Sequence, residues 1–306
     1  MHGTLHRRQF LERVAAVSAG TSAGLAATQL PIAARAIDPI ARNGEPLFRF
    51  SLAAYSYRDL LSGDDATLKL SDFINDCASM NLDGAELTTY YFPKAVTADY
   101  VRALKRQCFR LGLDVSGTAI GNDFGHADPD ARRREIAATK RWIDLAEILG
   151  APVIRIFAGH AKEGSTLEQA HTLMVSAIEE CCQYAGQHGI HLALENHGGP
   201  TATIDEFMKF VRDVKSPWFG VNLDTGNFQS DDVYGDLAKA APYALNVQVK
   251  VAIVEGGKKQ ETDFKRLAGI LRDAHYRGYL ALEYEEEGDP REECPKYVDK
   301  LREAFA

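Results

Sequence analysis

Four apolar segments of the sequence run directly into an oxygen-bearing side chain. Three of these side chains are the carboxylates Glu195, Asp224 and Glu283, and the fourth is the amide Gln248. Successive members are separated by 29, 24 and 35 residues, which is the length of one strand followed by one helix. Three carboxylates brought together would repel each other unless a cation held them. The spacing and the residue types therefore predict a divalent metal site at neighbouring strand ends, although any one such glutamate is as often a solvated loop residue.

The elements that must position these side chains alternate between short apolar runs and longer amphipathic ones. Such alternation is typical of repeated strand–helix units around a parallel sheet. Eight units predict a single-domain (β/α)8 barrel, in which the carboxyl ends of all strands open onto one face. A doubly wound open sheet is the alternative. The predicted strands cover residues 50–56, 83–88, 113–120, 152–158, 190–196, 219–224, 244–251 and 279–284.

Glycines are placed where the predicted helices end. Gly112, Gly150, Gly189 and Gly278 each precede a predicted strand, and a glycine in the left-handed conformation is the usual C-terminal cap of a helix. The five cysteines form no CxxC pair. We therefore expect them to be small apolar residues of the core, although the sequence leaves the disulfide state open.

The overall charge and the missing motifs exclude several classes of partner. A formal charge of −8 and a pI of about 5.6 provide no basic field for a nucleic acid or an anionic membrane. Neither GxGxxG after a strand nor GxxxxGK[ST] is present, which argues against a nucleotide-binding enzyme. We expect a small molecule as the partner and no nucleic acid, and a homo-oligomer is retained as an option.

The N-terminus has the layout of an export signal. Arg7 and Arg8 begin an RRQFL motif of the twin-arginine type, and 21 uncharged residues follow from Val14 to Ala34. Cleavage after Ala36 predicts a signal peptide at 1–36, a lead-in at 37–49 and the barrel at 50–306, in a periplasmic protein without stable membrane insertion. The alternative is a retained membrane anchor, since an uncharged run of this length can span a bilayer.

The stretches LALEN, VNLDTGN, NVQVK and LALEY resemble the sugar isomerase and epimerase group of the xylose-isomerase-like TIM-barrel superfamily. This superfamily also contains inosose dehydratases and endonuclease IV-type enzymes. The resemblance covers most of the chain after the signal, and its specific part is confined to the last four strands. It implies a metal held by Glu195, Asp224 and Glu283, with Gln248 in place of the family's histidine. Asn227 likewise stands where many relatives have a histidine.

The resemblance and these substitutions also set the expected cofactor. An all-oxygen site favours Mn²⁺, with Mg²⁺ or Co²⁺ as further options, over zinc. The endonuclease assignment is disfavoured because that chemistry uses a histidine-rich zinc cluster and because the charge is wrong for DNA.

The resemblance implies proton abstraction beside the carbonyl of a keto-sugar. Glu195 and Glu283 would move the proton, and isomerisation or epimerisation would follow. Elimination from a 3-keto-glycoside or keto-sugar by the same enediolate chemistry, which is lyase or dehydratase activity, is the alternative. A barrel that binds a carbohydrate without turnover is the second alternative.

Further candidate residues lie at or just after strand ends. His197 is expected to bind a hydroxyl or move a proton, and its alternative role is that of a turn histidine. Lys250 is expected to polarise a substrate oxygen or to pair with a ligand carboxylate. The candidates for substrate binding are Tyr55, Glu86, Asn122, Arg155, His160 and Asn227.

Overall fold

Eight parallel strands close into a barrel in the computed structural model, which describes residues 37–63 and 65–306. The barrel strands are Leu47–Ala53 (β1), Gly84–Thr88 (β2), Asp114–Ala119 (β3), Val153–Ile156 (β4), His191–Glu195 (β5), Phe219–Asp224 (β6), Ala244–Lys250 (β7) and Arg277–Glu283 (β10). They neighbour one another in the order β1, β10, β7, β6, β5, β4, β3, β2. The predicted single (β/α)8 barrel is confirmed. The predicted export signal, and the membrane anchor that was its alternative, lie outside the described residues.

Helices cover the outside of the barrel. They are Arg58–Leu61 (α1), Leu70–Ser79 (α2), Ala98–Arg110 (α3), Pro129–Leu149 (α4), Leu167–Gln187 (α5), Ile204–Asp213 (α6), Val233–Ala240 (α7), Phe264–Asp273 (α8) and Pro290–Phe305 (α9). The last helix returns to the first strand, where the rings of Phe48 and Phe305 meet edge to face at 4.8 Å. Within residues 37–63 and 65–306, no helix combines the length and the apolar character needed to cross a bilayer.

The strands are buried on both faces because helices pack outside and side chains fill the inside. All six residues of β6 are buried, and so are all five of β2. Strands buried on both faces lose the alternation of apolar and polar residues, which is why the sequence shows them as continuous apolar runs. The five cysteines are free and buried, as expected for core residues.

The first strand begins earlier than the sequence predicted. β1 starts at Leu47, inside the predicted lead-in, and ends at Ala53, whereas the prediction was residues 50–56. The amide of Leu47 donates to the carbonyl of Tyr276 at 3.0 Å, so pairing with β10 already begins there. The later part of the predicted segment forms a short 3₁₀ turn from Ala54 to Tyr57, which places Tyr55 beyond the strand end.

Three of the four predicted glycine caps are confirmed. Gly112, Gly150 and Gly189 have φ of 74°, 82° and 67° just after their helices. The prediction for Gly278 is wrong, because this residue lies inside β10 and the phenol of Tyr276 packs where its Cβ would be. His275 takes the left-handed conformation after α8 instead, with φ of 49°.

A hairpin that was not predicted follows β7 directly. Its antiparallel strands are Ala252–Glu255 (β8) and Lys258–Glu261 (β9), and its turn is Gly256-Gly257 with both φ values positive. Because β7 ends at the carboxyl face of the barrel, the hairpin stands beside the mouth. Lys259 ties it to Glu286 in the loop after β10 at 2.7 Å.

Candidate active site

A cavity of about 210 Å³ opens at the carboxyl ends of the strands. The structure brings together six of the predicted site residues in its lining, which are Tyr55, Arg155, Glu195, His197, Lys250 and Glu283. Three more lining residues, Tyr90, Phe157 and Glu285, were not predicted. Pockets for drug-sized ligands span about 300–1,000 Å³, so this cavity suits a molecule no larger than a monosaccharide.

Arg155 and Glu195 form a buried ion pair on one side of the cavity. Nε of Arg155 lies 2.8 Å from Oε2 of Glu195, and the side chains are only 7% and 4% exposed. Asn227 donates its amide to the other oxygen of Glu195 at 2.9 Å. Burial raises the pKa of Glu195, and the guanidinium opposes that rise. Oε1 is therefore hydrogen-bonded, whereas the contact of Oε2 with Nε of Arg155 is a close charge contact without hydrogen-bond geometry.

The guanidinium of Arg155 is itself held on several sides. It donates to the carbonyl of Ile120 at 2.7 Å and to the hydroxyl of Tyr90 at 3.2–3.3 Å. The ring of Phe157 lies 4.0 Å from its central carbon. A guanidinium held by a carbonyl, a phenol, an aromatic face and a carboxylate has little freedom to move.

Lys250 lies among three carboxylates on the other side. Its Nζ is 2.5 Å from Glu283, 2.8 Å from Glu285 and 3.5 Å from Asp224, and its side chain is 9% exposed. Burial lowers the pKa of Lys250, but the three carboxylates together raise it well above its usual range. The ammonium is therefore charged throughout the physiological pH range.

Asp224 is completely buried and uses its two oxygens unequally. Oδ1 accepts from the amide of Gly226 at 2.8 Å, whereas Oδ2 has no hydrogen bond from any described residue and faces Lys250. Burial raises the pKa of Asp224 to about 7, while the charge of Lys250 opposes the rise. Asn196, which was not predicted, joins the ends of β5 and β6 through two 2.9 Å hydrogen bonds to the backbone of Asp224.

A layer of amides lies beneath Lys250 inside the barrel. Gln248 donates to Glu86 at 2.6 Å and accepts from Asn222 at 2.6 Å, and Asn246 donates to Glu86 and to Asn222 at 2.9 Å each. All four side chains are buried. Burial raises the pKa of Glu86 to about 7, while the two amide donors oppose the rise. We refer to Glu86, Asn222, Asn246 and Gln248 as the amide layer.

Comparison with known proteins identifies the family. A family model described as a xylose isomerase-like TIM barrel matches residues 74–304, which is more than half of the chain. The chain belongs to the xylose isomerase-like TIM barrel family. No curated protein sequence matches it.

Solved structures resemble this xylose isomerase-like barrel at low sequence identity. D-psicose 3-epimerase from Clostridium cellulolyticum H10 is 17% identical with a TM-score of 0.69, and the match covers 84% of this chain and 99% of that one. L-ribulose 3-epimerase is 18% identical with a TM-score of 0.69 and coverage of 85% and 95%. A 3-keto-D-glucoside 4-epimerase from E. coli is 15% identical with a TM-score of 0.68 and coverage of 84% and 99%. At such identities the likeness shows the fold.

Four predicted substrate-binding residues of this xylose isomerase-like barrel are absent from the lining of the 210 Å³ cavity, namely Glu86, Asn122, His160 and Asn227. Asn227 lies behind Glu195, to which it is bonded. Asn122 uses its amide on both backbone groups of Phe157, at 2.8 and 3.0 Å, and so fastens the loops after β3 and β4. His160 is exposed, and its ring packs against Gly199. Both carboxylate oxygens of Glu86 accept hydrogen bonds inside the amide layer, from Gln248 and Asn246. These side chains therefore hold the loops and the interior together.

The predicted metal ligands are arranged in a way that does not fit a divalent ion. Both oxygens of Glu195 are engaged by Arg155 and Asn227, and both ends of the amide of Gln248 are used within the amide layer. Asp224 and Glu283 face the Lys250 ammonium. Among residues 37–63 and 65–306, no group of three or more His, Cys, Asp or Glu side chains has a metal-holding arrangement. A divalent ion would have to displace a lysine and open an arginine pair.

Proposed function

We propose that the chain is a carbohydrate isomerase or epimerase that removes a proton next to the carbonyl of a keto-sugar. The observation that carries the proposal is the placement of Glu195 and Glu283. Their strands, β5 and β10, lie three positions apart in the ring of eight. Both carboxylates line the same small cavity, and each is in contact with a different cation. Two carboxylates on different sides of one sugar are what moving a proton between faces or carbons requires.

We infer different roles for the two glutamates from their contacts. Lys250 contacts Oε2 of Glu283, which leaves Oε1 of that carboxylate to remove the proton. Glu195 is the partner that gives a proton to the other face, and burial, which raises its pKa, favours the protonated form that this role requires. Negative charge develops on the carbonyl oxygen when the proton leaves, and positioned cations stabilise such charge strongly in a site shielded from water. His197 and Tyr55, which also line the cavity, are the expected contacts for hydroxyls.

The similar structures support a sugar as the substrate. The three described above carry the names of epimerases that act on psicose, ribulose and a 3-keto-glucoside. The cavity adds an aromatic surface, because Tyr90 lines it and is 43% exposed. Aromatic faces combined with charged and hydrogen-bonding groups suit a polar ring.

A second observation favours elimination from a 3-keto-glycoside as the alternative function. A larger cavity, of about 590 Å³, is lined by the loop 226–231 together with Val254 and Gly257 of the hairpin. It includes Asn227, whose amide is bonded to Glu195. The hydrogen bond between Asn227 and Glu195 therefore separates the two cavities, and the larger one offers room for the second ring or aglycone of a glycoside on the far side of that bond.

Hydrogen exchange with solvent tests the proposal. The full-length protein is incubated in D₂O with keto-sugars, including psicose, ribulose and a methyl 3-keto-glucoside, and deuterium beside the carbonyl is measured by NMR. We expect incorporation with the wild type and a loss of about 1,000-fold with Glu283→Gln. Glu287→Gln, at an exposed position in the loop that follows β10, is the matched control and should leave the rate unchanged.

The same experiment separates the alternatives. A stereoisomer or isomer indicates epimerisation or isomerisation, and released methanol indicates elimination. Binding of a sugar without any exchange would contradict enzymatic function and leave the non-catalytic barrel. The dependence on Mn²⁺, Mg²⁺ or Co²⁺ that the sequence predicted is tested by the metal titration described below, and export to the periplasm remains a prediction, which cell fractionation tests.

A further inference from the structure

The centre of the acidic cluster is occupied by a side chain of the protein itself. Asp224, Glu283 and Glu285 come from the ends of β6 and β10, and the Nζ of Lys250 lies within 3.5 Å of an oxygen of each. Two of these carboxylates are members of the predicted metal set. The positive charge that the repulsion among the carboxylates predicted is therefore present as the ammonium of Lys250.

We propose that Lys250 is the resident cation of this site and that the barrel acts without a divalent ion. The proposal rests on the proposed function and deepens it, because it assigns the group that stabilises charge on the substrate oxygen. It also sets this chain apart from the metal site that the sequence predicted. Three observations carry it.

The first observation concerns the hydrogen bonds of Gln248, which stands where the fourth metal ligand was predicted. Its amide nitrogen faces Glu86 and its oxygen faces the amide nitrogen of Asn222, at 2.6 Å each. This orientation is determined, because only a nitrogen can donate to a carboxylate and only an oxygen can accept from an amide nitrogen. A ligand oxygen pointing to the mouth would break both bonds and leave Glu86 short of a donor.

The second observation is that the stem and the backbone of Lys250 are fixed. Its backbone amide donates to the hydroxyl of Thr225 at 2.9 Å, and its carbonyl accepts from the hydroxyl of Thr262 at 2.7 Å. Its aliphatic stem packs on Gly226, where a Cβ would meet Cγ of Lys250 at 2.8 Å. The glycine of the DTGN stretch thus gives space to the lysine, and the ammonium is delivered to one place.

The third observation concerns charge and donors. Lys250 carries one positive charge among three carboxylates, whereas the charges of Arg155 and Glu195 cancel. An ammonium has three N–H donors. Oxygens of Glu283 and Glu285 lie within 2.8 Å of Nζ and can accept two of them, whereas Asp224 is farther away at 3.5 Å, so the third can be donated to a substrate oxygen. Lys250 can therefore hold the base in place and stabilise the reacting oxygen at the same time.

The resulting step is balanced without any co-reactant. Oε1 of Glu283 takes the proton from the carbon beside the carbonyl, and the C–H electron pair forms the carbon–carbon double bond. The carbonyl pair moves onto oxygen, which accepts a hydrogen bond from the Lys250 ammonium. Lys250 keeps its proton throughout. In isomerisation, Oε1 of Glu283 gives the same proton to the adjacent carbon. In epimerisation, Glu195 gives the opposite face a proton that it has taken from water, and Glu283 then releases its own proton to water.

Mn²⁺ binding tests the proposal without reference to activity. The full-length protein is treated with EDTA, returned to buffer and titrated with Mn²⁺ in a calorimeter. We expect no stoichiometric binding by the wild type. Lys250→Met, which retains the apolar stem, should gain at least about 10-fold in Mn²⁺ affinity, because its removal leaves three carboxylates without their cation. Lys259→Met, which removes an exposed lysine from a single carboxylate partner, is the matched control and should behave as the wild type.

Deuterium exchange provides the second readout. Exchange by the wild type should be the same with EDTA and with added Mn²⁺, and Lys250→Met should lower it about 100-fold or more. One equivalent of tightly bound Mn²⁺ in the wild type, or exchange that requires Mn²⁺, overturns the proposal while the epimerase function stands. No exchange under either condition contradicts the epimerase function instead, and the wild-type titration still decides the role of Lys250. That titration needs no variant, so a poorly folded Lys250→Met does not affect it.

Discussion

The two cations at the mouth of the barrel differ in how their charge is shared. Arg155 is paired with one glutamate, and its terminal nitrogens donate to a backbone carbonyl and a phenol. Lys250 is shared among three carboxylates from two strands. The arginine side is therefore neutral and immobile, whereas the lysine side keeps an excess of negative charge around a compact donor. The carboxylate on the arginine side is therefore suited to returning a proton from a fixed position, and a carboxylate on the lysine side is suited to taking one.

The largest expected effect distinguishes the two glutamates in this comparison. Glu283→Gln should lower the rates of deuterium exchange and of product formation by about 1,000-fold each, because it removes the base. Glu195→Gln should abolish product formation but keep exchange within about 10-fold of the wild type, because the first proton transfer does not need it. Both rates are measured on one sample by NMR. The opposite pattern would reverse the assigned roles, and equal losses of exchange would contradict the distinction.

Removing either cation should also lower the free energy of unfolding, and the loss should be larger for Arg155 than for Lys250. Arg155→Met leaves the Glu195 carboxylate buried without its partner, and breaking such a pair lowers the free energy of unfolding by about 3–5 kcal/mol. Lys250→Met should lower it by about 1–3 kcal/mol, since Glu285 is 37% exposed and reaches water, and Asp224, whose pKa burial raises to about 7, can take a proton once the ammonium is lost. Urea unfolding measures both. In a double-mutant cycle, adding Glu195→Gln to Arg155→Met should recover part of the loss; a strictly additive result would show that the pair is not coupled.

The sequence predicted positions at the mouth better than it predicted partners. The end of a strand is encoded locally, by an apolar run and the turn that follows, and a parallel barrel brings all such ends to one face. The sequence therefore predicted the positions at the mouth of Glu195, Asp224, Lys250 and Glu283. The partner of a side chain depends instead on the register of distant strands. Gln248 and Glu86 are separated by 162 positions, and no local pattern showed that this glutamine would serve a buried glutamate instead of a metal.

Lys250 is a second residue whose position was predicted better than its partners. The sequence placed it two residues after Gln248 and hence on the same face of the strand. Pairing with a carboxylate was one of its two expected roles. The contact with Glu285 was not expected, because the charges after β10 had no predicted position. The hairpin was missed because its exposed, charged β9 strand carries no apolar pattern.

An intermediate effect is expected at Gln248, which lies in the amide layer inside the barrel. Gln248→Met removes one donor to Glu86 and the acceptor of Asn222, and each buried group left unsatisfied costs about 1–3 kcal/mol. Deuterium exchange in EDTA should nevertheless stay within about 10-fold of the wild type, because Gln248 does not reach the cavity. Thermal unfolding and exchange are measured together. A large loss of exchange without a loss of stability would indicate that Gln248 contacts the reacting groups.

The smallest expected effect lies at the opposite end of the strand that carries Glu195. Burial lowers the pKa of His191, whose ring packs near Trp218 and whose Nδ1 has no hydrogen-bond partner among the described residues. The unfolded chain therefore binds a proton more readily than the folded one as the pH falls through about 6.5. The folded state loses stability below that pH and is unaffected above it.

His191→Gln should remove this contribution. The midpoint of thermal unfolding of the wild type should fall relative to that of the variant between about pH 7.5 and pH 5, by on the order of 1 °C. Exchange rates of the two proteins should have the same pH profile, because this end of the barrel does not reach the cavity. If the substitution altered the pH profile of exchange, protonation at the amino end of β5 would be coupled to Glu195, and the charge balance of the mouth would extend through the whole strand.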